Sequence, residues 1–146
     1  PVFGRARQDA WRHWARALAQ ANLGNAAAAR QEADAFEKSM AEFRAKTNRP
    51  EPAELQVARQ EMAGHVEIAA GQVARGLKEM EAASKAERRL TYSEPPYYPR
   101  PVAEAMGHAA LRNHQPELAG RAFRIALQQY PDDAHAKQGT AVAAGY

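Results

Sequence analysis

The chain has 146 residues, 45% of them hydrophobic and 25% charged, with a net charge of +3. That length fits one domain, and the lack of any cysteine excludes disulfides, thiolate nucleophiles and cysteine-ligated metals. No apolar run reaches the roughly 18 residues of a membrane span, no signal peptide is visible, and the chain opens on Pro1, as a processed chain or a fragment would. The basic surplus is scattered among acids, densest at Arg88-Arg89 and Lys46/Arg49, which is a solvated surface and not a nucleic-acid footprint.

Helical periodicity runs along the chain. Phe3, Ala6, Ala10, Trp14, Ala17 and Ala21 recur at spacings of three and four. Asn22–Asn25 ("NLGN") reads as a turn with Asn25 as N-cap, and the next helix carries Ala29, Ala33, Phe36, Met40 and Phe43 on one face. Thr47–Pro52 breaks it. A third helix starts near Ala53 or Glu54 with Leu55, Met62, Val66 and Ala69 on its inner face. Gly71 separates it from a fourth, which carries Val73, Leu77 and Met80 and stops near Leu90. The segment "YSEPPYYPRP" (Tyr92–Pro101) follows. A fifth helix covers "VAEAMGHAALRN", a sixth begins at Pro116, which suits a first helical turn, and Pro131-Asp132-Asp133 stops it and caps a seventh. Period-two alternation is absent, so no strand is expected.

The apolar share is rich in alanine, which predicts a thin core of closely approaching helices. Offsets of small and large residues repeat. Ala119, Phe123, Ala126 and Pro131 lie 12, 16, 19 and 24 residues after Gly107; Gly71, Gly76, Met80 and Ala83 lie 7, 12, 16 and 19 after Gly64. From Ala17 the same offsets give Gly24, Ala29, Ala33 and Phe36, a copy degenerate in its second half. Gly or Ala suits the point where two backbones of a hairpin meet, and a large residue nearby fills the gap beyond it.

These residues resemble the tetratricopeptide repeat, with Ala103 and Met106 where the repeat has an aromatic and a leucine. "HWARALAQANLGNAAAA" and "YSEPPYYPRPVAEAMGHAALRNHQPELAGRAF" are also similar to "HYARG"- and "YxEPPxxYP"-type stretches of a group of bacterial TPR-like proteins, of which the chain looks like the C-terminal part. Ala103 here replaces that group's arginine, and His135 falls where a tryptophan is usual. The resemblance implies an all-α, right-handed superhelix of three antiparallel hairpins (about 3–47, 53–90 and 100–130) plus a terminal helix (about 132–145), forming one domain over 1–146. It also implies a concave groove lined by the first helix of each hairpin, and no activity.

For chemistry the sequence offers little. It has no phosphate loop, nucleophile elbow or metalloprotease motif, and Ser39, Ser84 and Ser93 have no histidine close in sequence. The expectation is a non-catalytic protein- or peptide-binding module with no cofactor, no nucleic acid and no membrane contact. Trp11, Trp14, Leu18, Glu61, His65, Glu104, His108, Arg112, His135 and Gln138 would line the groove. Glu61/His65 and Glu104/His108 are four apart and each share a helix face; they read as solvated contacts, or alternatively as ligands of a divalent metal such as zinc. Trp14 reads as packing on a preceding repeat, and Trp11 as either packing or a peptide anchor. A further alternative is a C-terminal cap or self-associating element of a larger protein. Because Gly64 and Gly107 are 43 residues apart, against the roughly 34-residue TPR period, the proline segment reads as a rigid wedge packed through Tyr92, Tyr97 and Tyr98. The compartment stays open.

Overall fold

The structure is a computed structural model that describes the backbone of residues 2–146 and the side chains from residue 4 onward; the side chain of Phe3, expected on the first inner face, lies outside the described residues. Among the described residues there are seven helices and no strand: α1 (Val2–Asn22), α2 (Ala26–Thr47), α3 (Ala53–Ala69), α4 (Val73–Glu87), α5 (Val102–Arg112), α6 (Pro116–Gln129) and α7 (Ala134–Ala144). None of them is long and apolar enough to cross a membrane. Where one domain was expected, the chain divides into two compact units, Pro1–Glu79 and Met80–Tyr146, the boundary falling inside α4.

One turn recurs three times. Gly24, Gly71 and His114 each lie seven residues after the start of a repeat and each adopts a left-handed φ, of 81°, 85° and 57°. Their N–H groups donate to the carbonyls of Ala21, Ile68 and Leu111. The N–H groups of the following residues, Asn25, Gln72 and Gln115, donate to Gln20, Glu67 and Ala110. This pair of bonds is the Schellman closure, which satisfies helix-end carbonyls that would otherwise lack partners. The carbonyls of Asn25, Gln72 and Gln115 then accept from Ala29, Gly76 and Ala119 and so open the next helix. Asn25 occupies the N-cap position as expected, but its side chain makes no capping bond; its Nδ2 donates to Gln20 Oε1 at 3.0 Å.

In the first unit α1 packs on α2 and α3, and α2 on α3. Ala6, Ala10, Trp14, Ala17, Phe36, Met40, Leu55 and Met62 form the buried interior. The hairpin of α3 and α4 closes tightly: a Cβ on Gly76 would stand 2.5 Å from the carbonyl oxygen of Gly64. Arg59 lies 5.7 Å over the Phe36 ring and pairs with Glu37 and Glu51 at 2.5 Å each, which ties α2 to α3.

In the second unit α6 packs on both α5 and α7, and α5 on α7. Phe123, fully buried, is clasped between two glycines: a Cβ on Gly107 would come within 2.5 Å of its ring, and one on Gly139 within 2.3 Å. Pro116 takes the first turn of α6, and Asp133 Oδ1 caps α7 by accepting from the Ala136 N–H at 3.0 Å, both as the sequence predicts. Helix α4 ends at Glu87, three residues before the expected Leu90, in a tight turn that carries Arg88–Leu90. Glu87 Oε2 accepts from the Val102 N–H at 2.7 Å, so the residue that ends α4 satisfies a first-turn donor of α5. The proline segment packs through one tyrosine only. Tyr98 is 4% exposed, whereas Tyr92 and Tyr97, expected to pack with it, are 84% and 56% exposed. Tyr92 turns outward because its hydroxyl donates to Glu94 at 2.7 Å, in solvent.

The left-handed turn residue makes a directional prediction. His114→Gly removes Cβ strain and should raise stability by about 1 kcal/mol. Gly24→Ala and Gly71→Ala, where nothing lies within 4 Å of the added carbon, should lower it by about 1 kcal/mol through backbone strain alone. Crowding makes a second one. Gly107→Ala should cost about 1–3 kcal/mol against Phe123, while Gly120→Ala in α6, whose nearest neighbour would be 3.8 Å away, should gain up to about 1 kcal/mol. Urea denaturation midpoints of the variants check both series.

Candidate functional site

The residues expected to line a groove separate by burial. In the first unit Trp14 is 8% exposed and stacks edge-on against half-buried Trp11, with ring centroids 5.3 Å apart. Trp14 is thus covered within this chain, with no preceding repeat needed to cover it. Glu61 and His65 are 0% and 4% exposed and face each other at 3.4 Å. This corrects their reading as solvated residues: the pair is interior. Leu18 is also buried.

In the second unit the polar residues reach solvent. Val102, Ala103, Ala105, Met106, Gly107, Ala109 and Ala110 of α5 are all buried. What remains is Leu111 and a line at four-residue spacing: Glu104 and His108, half-buried, and Arg112, exposed. Helix α5 therefore meets solvent mainly along a Glu–His–Arg stripe.

Helix α7 brings two more groups to the head of this stripe. His135 Nδ1 lies 3.6 Å from Glu104 Oε1, and His108 Nε2 lies 4.0 Å from the same oxygen. The Glu104 and Asp133 carboxyls stand close to each other, with oxygens within 4.8 Å. Glu104, Asp133 and His135 each offer a donor atom, and these atoms all lie within 4.8 Å of one another, a set able to hold a metal ion. His108 is set edge-on against the Phe123 ring, centroids 5.0 Å apart. The packing that closes α5 on α7 thereby also fixes this imidazole. Sequence spacing could find Glu104 and His108, and the repeat register put His135 in the same groove; it placed Asp133 only as a cap and did not bring His135 against Glu104, because that proximity comes from tertiary packing.

Electrostatics follow from partial burial. Desolvation, then the hydrogen bond and charge of Asp133, push Glu104 above the usual glutamate value, with Arg100 and His135 opposing. Desolvation, then Arg112 and His135, push His108 below the usual histidine value, with Asp133 opposing and Arg100 reinforcing. Glu104 is thus inclined to keep its proton and the His108 imidazole to remain neutral.

A concavity of about 320 Å³ lies beside the proline segment, lined among others by Glu87, Tyr92, Tyr97, Tyr98, Gln129 and Tyr130. Desolvation and the nearby carboxylates of Glu87 and Glu94 raise the Tyr130 phenol above its usual value, so it stays protonated and able to donate.

The two shifts in the α5 stripe give opposite pH slopes. Glu104 binds its proton more tightly in the folded chain. Its contribution is therefore full below its ordinary value near 4.5 and is lost as pH rises through the raised one. His108 does the reverse: its contribution is present above 6.5 and is lost as pH falls through the lowered value. With chelator present, Glu104→Gln should become steadily more stable relative to the parent between acid and neutral pH, and His108→Gln should flatten the loss on the acid side. Parallel denaturation curves across pH check both slopes. No family model, curated protein or solved structure matches the chain.

Proposed function

We propose that the chain is a TPR-like helical-repeat module that binds a protein or peptide segment without catalysis, along the first helix of its third hairpin. The observation that carries this reading is the exposure pattern of α5. Seven of its residues are sealed in the interior, and Glu104, His108 and Arg112 form a polar line that His135 extends. A helix that is buried except for one polar stripe and a half-buried Leu111 offers donors and acceptors at fixed spacing, which suits recognition of an extended segment by hydrogen bonds and charge. The repeat character is supported by the threefold recurrence of the left-handed turn and its hydrogen bonds. The buried state of Glu61, His65 and Trp14 gives those residues a structural part in this reading, so recognition rests on the second unit.

The serine hydroxyls fit a non-catalytic reading. Ser39 and Ser93 donate to the carbonyls of Ala35 and Pro95, and Ser84 is buried. A random peptide library selected against the chain tests the proposal. Selected peptides should lose affinity about ten-fold or more for Glu104→Ala/Arg112→Ala, as expected when charged contacts at the centre of an interface are truncated. They should bind Glu42→Ala on α2 normally. Peptides that bind the double variant as well as the parent would rule out the stripe as the binding face.

A further inference from the structure

We propose that Glu104, Asp133 and His135, joined by His108, form a binding site for a divalent transition-metal ion of the zinc type. The set differs from the pairing of Glu61 and His65 with Glu104 and His108 that sequence spacing suggests, since it draws on α7 and not on α3. Three of its donors already lie within 4.8 Å of one another, with His135 Nδ1 and His108 Nε2 at 3.6 and 4.0 Å from Glu104 Oε1. Around a tetrahedral zinc ion with bonds of about 2.0–2.2 Å, neighbouring donors stand roughly 3.3–3.6 Å apart. From separations of up to 4.8 Å the donors must close by as much as about 1.5 Å to reach that spacing, and His108, at 4.0 Å from Glu104 Oε1, must swing in with them; side-chain rotations supply both movements.

The donors are held from behind. Asp133 is fixed by the bond from the Ala136 N–H at 3.0 Å, and His108 rests against Phe123. Phe123 itself is clasped by Gly107 of α5 and Gly139 of α7, the two helices that carry the ligands. His135, with its side chain 76% exposed, is the adjustable member and gives a route from solvent. Two carboxylates with two imidazoles suit zinc and its neighbours, not calcium or magnesium, which take oxygen ligands. Opposing charge is present: Arg100 and Arg112 act on Glu104 and His108 respectively, and the positive end of α7 lies at Asp133. Both carboxylates are therefore needed, and loss of one should be felt strongly.

The test is calorimetric titration of zinc chloride into the chelator-treated full chain at neutral pH. It reads the metal alone, so its outcome is separate from that of the peptide selection. One equivalent should bind, with magnesium giving no heat. Asp133→Asn is the informative variant, because asparagine caps a helix as well as aspartate and replaces an anionic ligand by a neutral amide. It and His135→Ala should each weaken zinc by about ten-fold or more with unchanged helical circular dichroism. Glu32→Gln, at the separate His13–Glu32 pair, should leave the affinity unaltered. Binding no stronger than millimolar, or stoichiometric binding that survives both Asp133→Asn and His135→Ala, would overturn the site.

Discussion

A left-handed residue at the end of the first helix of each hairpin is the constraint on which the rest depends. It reverses the chain in a few residues and satisfies two helix-end carbonyls in the same stroke. It also fixes the register of the returning helix. Once that register is set, the residue twelve positions into the repeat must pass close to its start, which is why Gly76 approaches the Gly64 carbonyl so closely that a methyl group would not fit. The small residues at these positions are therefore consequences of the turn. Alanine and glycine make a core thin in apolar area but dense in backbone contact, so the few large buried side chains, Phe36, Phe123, Met40 and Met80, carry much of the apolar packing.

Phe123 shows how such packing becomes chemistry. With glycine on each facing helix, α5 and α7 can both lie against one ring. Their approach sets Glu104 beside Asp133 and His135, and the same ring supports His108 edge-on. The polar cluster is thus downstream of an apolar contact: a larger residue at position 107 or 139 would displace the helix and the polar groups it carries together.

Much of this architecture could be read from sequence because it is written in residue types with strong local preferences. Gly24 and Gly71 mark two of the turns, Pro116 a helix start and Asp133 a cap. The third left-handed turn stayed hidden because His114 occupies it, a residue type that takes a positive φ more often than most but far less often than glycine. Burial of the Glu61–His65 pair stayed hidden as well, since spacing of four looks the same in solvent and in the interior. In the proline segment, composition alone could not tell Tyr98, which packs, from Tyr92, which turns out to meet Glu94. The Glu104–Asp133–His135 grouping joins positions far apart in sequence, so only the packing of α7 on α5 could reveal it.

The two Glu–His pairs hold equivalent places in the repeat and have come to different ends. At 61 and 65 the pair is sealed, and a buried polar pair brings little net stability because the cost of desolvation offsets the attraction. Removing one partner would still be costly, as the other would keep its burial and lose part of its pairing. At 104 and 108 the same spacing lies at an edge, where a further helix supplies a carboxylate and an imidazole and solvent has access. The first arrangement is closed to solvent. The second can exchange its internal contacts for contacts with something else, because each group that lets go of a neighbour can be met by water or a ligand. Equivalent sequence spacing therefore does not give an equivalent environment here: one pair is buried, and the other lies beside α7 with access to solvent.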